Sequence, residues 1–168
     1  MRTVGVLTAI ALALALQTTL ARFWDGGGAA LDLVLVVVVY VALTSGPVTG
    51  MLAGSAAGIV QDALSIGVIG TGGLAKSVVG LVVGAIGQQF LVTAALPRLV
   101  IFLGSSVAHA VMFIGIYVLL GLGSFPSPWA GILTQALGNT AVGMIAFSIV
   151  EVFPVFVDRR RLSRRTRY

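Results

Sequence analysis

The segment GPVTGMLAGSAAGIVQDALSIGVIGTGGLAKSVVGLVVGAIGQ, residues 46–88, decides how this chain folds. Gly46, Gly50, Gly54 and Gly58 stand four apart, and Asp62 is the next step on that stripe. Beyond the SIGVIGTGG loop the arrangement repeats, with Lys76, Gly80, Gly84 and Gln88 again four apart. Spacing of four keeps side chains on one helical face. Small residues there let two backbones approach closely where lipid supplies no hydrophobic drive. The pattern predicts an antiparallel hairpin of two membrane helices packed through their glycines. Asp62 and Lys76 then both fall near its loop end, and the spacing points to a structural ion pair that locks the hairpin. A transport or proton relay would show several ionisable groups in series, and here the series stops at two. Asp62 also ends its own helix, where the dipole disfavours a carboxylate unless a cation or a donor compensates.

The rest of the composition agrees with a membrane setting. Of 168 residues, 58% are hydrophobic and 9% charged, against about 25% charged in a soluble domain. Mean hydropathy is +1.11. Cysteine is absent, which removes disulfides and thiolate metal sites. The pI of 10.8 does not point to nucleic acid. The excess of basic charge sits in the terminal RRRLSRRTRY, where Arg159, Arg160, Arg161, Arg164, Arg165 and Arg167 cluster. Such a cluster beside a membrane span contacts anionic lipid or a cytoplasmic partner, at about 1 kcal/mol per residue near the surface.

Charges and turn residues divide the chain into six predicted spans, at about 3–22, 31–44, 46–62, 74–93, 99–122 and 130–153. About 20 apolar residues cover a bilayer core. The expected organisation is an all-α six-helix transmembrane domain over 1–157 and a basic tail over 158–168. Six spans put both termini on one side, with Arg2, Arg98 and the tail, and the positive-inside rule makes that side cytoplasmic. A cleaved signal peptide ending at TLA (19–21) competes with the first span, but the uncharged run 3–21 is longer than the usual h-region of about 7–15 residues.

His109 is the single histidine, with Ser105 and Ser106 on its helical face. Without further ligands at suitable spacing it reads as interhelical hydrogen-bonding glue rather than a metal ligand. Gln135, Asn139 and Gly143 form another stripe at intervals of four and read the same way. No GxSxG, HExxH, P-loop or spaced carboxylate pair occurs, so the residues imply neither an enzyme nor a cofactor.

Residues 31–76, LDLVLVVVVYVALTSGPVTGMLAGSAAGIVQDALSIGVIGTGGLAK, resemble the bacterial rod shape-determining MreD family. The resemblance lies in Asp32 opening the second helix and a hydrophobic run reaching Tyr40. A glycine-spaced helix then closes on Gln61-Asp62, with Ser65 and Ile69-Gly70 following; LQTTL (16–20) is similar too. Ile69 departs from the commoner leucine. The resemblance implies a non-enzymatic membrane scaffold of the cell-elongation machinery in the bacterial inner membrane. Its implied partners are MreC, RodA with its penicillin-binding transpeptidase, MreB and membrane lipids. It also implies a bundle similar to the S subunits of energy-coupling-factor vitamin transporters. The rival expectation is therefore a substrate-binding subunit of that kind. Ala9 with Ala13 and Ala11 with Ala15 have the small-residue spacing such subunits use to dock, which serves any helix contact. Trp24, Asp25, the 63–73 loop and Trp129 are few groups from which to build a vitamin site.

Overall fold

The computed structural model describes residues 2–23, 31–65, 68–89, 94–123 and 128–165, with side chains at 4–20, 31–65, 68–89, 94–123 and 128–150. Among the described residues there are six helices and no strand. They are α1 (Arg2–Phe23), α2 (Leu33–Ser45), α3 (Pro47–Leu64), α4 (Thr71–Gln89), α5 (Ala95–Leu119) and α6 (Trp129–Arg165). Three described stretches are long and apolar enough to cross a membrane: Thr71–Gln89, Ala95–Leu119 and Trp129–Val150. Val4–Leu20 and Leu33–Ser45 are apolar but shorter.

The hub is α2, which packs against all five other helices. Its sequence LVLVVVVYVALTS has no polar face over its first ten residues, so every side must be covered by protein or lipid. Val34, Leu35, Val38 and Val39 are almost wholly buried. Valine is a mediocre helix former on its own; burial on all sides overrides that preference. At about 20 Å the helix is shorter than the bilayer core of about 30 Å. It ends at Gly46, the one residue between α2 and α3. Gly46 has φ +89°, in the left-handed region that favours glycine. Pro47 then opens α3 with the fixed φ suited to a first helical position.

The glycine hairpin forms as predicted, and α3 with α4 makes the most extensive helix–helix interface. A Cβ on Gly50 would lie 2.6 Å from the Gly80 carbonyl oxygen. One on Gly54 would meet the Lys76 backbone, one on Gly58 the backbone of Gly73, and one on Gly84 the backbone of Pro47. Gln88 closes the far end, its Nε2 2.8 Å from where a Gly46 Cβ would sit.

Several helix limits differ from the expected ones, most by a few residues, and at two of them the reason is visible. Thr71 starts α4 rather than a residue near 74, because its first amides are held by Asp62. Ala95 starts α5 rather than a residue near 99, because Pro97 falls in the first turn, where its missing N–H removes no helical bond. The last helix runs past the expected end near 153 to Arg165, so Arg159, Arg160, Arg161, Arg164 and Arg165 lie on its backbone. Arg167, Trp24 and Asp25 lie outside the described residues.

Candidate functional site

Asp62 does not pair with Lys76, which corrects the expectation from their shared position near the loop. Its Oδ2 accepts hydrogen bonds from the backbone N–H groups of Gly70 at 2.9 Å, Gly72 at 3.0 Å and Gly73 at 3.2 Å. The first turn of a helix carries amides with no intrahelical partner and a partial positive charge. Asp62 supplies both the acceptor and the anion to α4 from the end of α3. Compensation for a carboxylate at a helix C-terminus thus comes from donors rather than from a cation. Gly72 is required sterically, since a Cβ there would collide with the Asp62 carboxylate. Ser65 finishes α3, its Oγ donating to the Gln61 carbonyl at 2.9 Å.

Lys76 pairs instead with Asp32, its Nζ 2.7 Å from Oδ2, with side-chain exposures of 3% and 4%. Asp32 is the N-cap of α2, and its Oδ1 accepts from the Leu35 N–H at 2.9 Å. Capping fixes the carboxylate at the mouth of α2, and α4 brings Lys76 to it. The Lys76 ammonium also lies 3.1 Å from His109 Nε2, and that ring nitrogen is 3.9 Å from Asp32 Oδ2. An ammonium can only donate, so Nε2 accepts and the imidazole proton resides on Nδ1. That Nδ1 is buried with no hydrogen-bond partner.

A fourth helix completes the cluster. Asn139, fully buried in α6, accepts from the Asp32 backbone N–H through Oδ1 at 2.8 Å and donates through Nδ2 to Ser106 Oγ at 3.3 Å. Ser105, Ser106 and His109, which share one face of α5, are all buried. Gly143 belongs to the α6 stripe because a Cβ there would stand 2.5 Å from the Phe102 ring. Gln135, half-buried one turn before Asn139, takes no hydrogen bond in the network among the described residues. At the other end of α2, the Arg98 guanidinium sits 4.1 Å over the Phe147 ring. Tyr40 meets the same ring edge-on at 5.2 Å.

Chemically, the arrangement is a closed tie. Asp32, Lys76, His109, Asn139 and Ser106 join α2, α4, α5 and α6, and each charge is held by an opposite charge or a dipole. Removing one member of such a buried pair strands the other at a cost of about 3–5 kcal/mol. Spacing alone missed Asp32 as the lysine's partner, because the two are far apart in sequence. The available signal was its place as a polar residue opening an otherwise apolar helix. Among the described residues, no group of three or more His, Cys, Asp or Glu side chains could hold a metal. Trp129, one of the residues considered for a vitamin site, is 67% exposed. No curated protein and no solved structure matches the chain. The family model described as rod shape-determining protein MreD matches residues 1–156, and with the glycine hairpin and Asp32 in place the chain belongs to that family of cell-shape proteins, its apolar helices those of a membrane protein.

Proposed function

We propose that this protein is a non-enzymatic scaffold of the cell-elongation complex in the bacterial inner membrane. It binds MreC directly and supports the peptidoglycan synthesis carried out by RodA and its penicillin-binding transpeptidase, with MreB on the cytoplasmic side. All six helices lie in the membrane as an S-subunit-like bundle, both termini face the cytoplasm, and the C-terminal arginines contact anionic lipid.

The observation that carries this reading is the use made of the intramembrane charges. Ionisable groups in membrane helices most often mark a substrate or ion path. Here Asp32 and Lys76 are consumed by each other at 2.7 Å, and Asp62 by the amides of α4. The charges stiffen a platform, and the exposed apolar flanks of the helices remain for partners.

The test is native mass spectrometry on the protein gently extracted from its own membrane. The expected result is a single-span partner with a large extracytoplasmic domain at fixed stoichiometry. A retained vitamin-sized mass together with ATPase and coupling subunits would overturn the scaffold in favour of a transporter subunit.

A further inference from the structure

We draw no further inference here: the strongest candidate, the apolar groove of about 250 Å³ between α4 and α5 walled by Val82, Val83, Ile86, Val100, Ile101 and Met112, carries none, because nothing in the structure shows what covers it.

Discussion

Lys76→Met separates the pairing observed in the structure from the one suggested by sequence proximity. The substitution keeps much of the side chain's length and deletes its charge. It leaves Asp32 Oδ2 buried without its 2.7 Å partner, while Oδ1 keeps the Leu35 amide. A buried carboxylate stripped of its cation costs about 3–5 kcal/mol. Asp32→Asn strands the Lys76 ammonium in the same way, at about 3–5 kcal/mol, because the amide has one oxygen where the carboxylate uses two, one on the Leu35 N–H and one on Lys76. The double variant removes both charges together and strands neither, so it costs less than either single, close to the neutral exchange of a buried ion pair for uncharged side chains; its shortfall from the sum of the singles is the coupling of residues in direct contact. Asp62→Asn with Lys76→Met shares no such contact and is additive to within about 0.5 kcal/mol. Reversible unfolding of each variant in mixed micelles, at fixed detergent composition, measures all of these free energies. Strong coupling between Asp62 and Lys76, with none between Asp32 and Lys76, would refute the assignment of the ion pair.

The other contacts make separate predictions. Gly54→Leu drives a side chain into the Lys76 backbone and separates α3 from α4; disulfide trapping between cysteines on facing positions of the two helices should fall sharply. Asp62→Ala leaves the amides of Gly70, Gly72 and Gly73 without their acceptor. Each unsatisfied buried group costs about 1–3 kcal/mol, so hydrogen exchange at the start of α4 should accelerate well before global unfolding. Asn139→Leu strands the Asp32 N–H and Ser106, lowering stability by about 1–3 kcal/mol in the same micelle assay. Its loss should couple to that of Asp32→Asn.

The residues that were legible in the sequence are those whose effect is local or periodic. Gly50, Gly54, Gly58, Gly80 and Gly84 announce the hairpin because a spacing of four has one meaning on a helix. Ser105, Ser106 and His109 announce a buried face for the same reason. The partner of Lys76 was not legible. Asp62 lies nearer to it in the chain, and periodicity cannot rank two carboxylates that approach one lysine from different helices. The decision is made by α4's own first turn, whose free amides attract Asp62 and leave Lys76, one turn further on, to reach the capping aspartate of α2. Gln61 was legible only as a companion of Asp62. Its buried oxygen without a hydrogen-bond partner is a tertiary fact that no local pattern encodes. The run of α6 to Arg165 was not legible because the expected span was set by the apolar run alone, which closes at about 153.

The central claim is that the buried charges hold the platform together and do no chemistry of their own. The most direct measurement combines Asp32→Asn with Lys76→Met at the chromosomal locus, then scores cell shape and, by native mass spectrometry, the partner carried by the extracted protein. The account predicts rod-shaped cells and the wild-type stoichiometry, since a buried ion pair replaced by uncharged side chains of similar volume folds well. A doubly substituted protein that accumulates and unfolds like wild type, yet yields round cells or arrives without its partner, would contradict it.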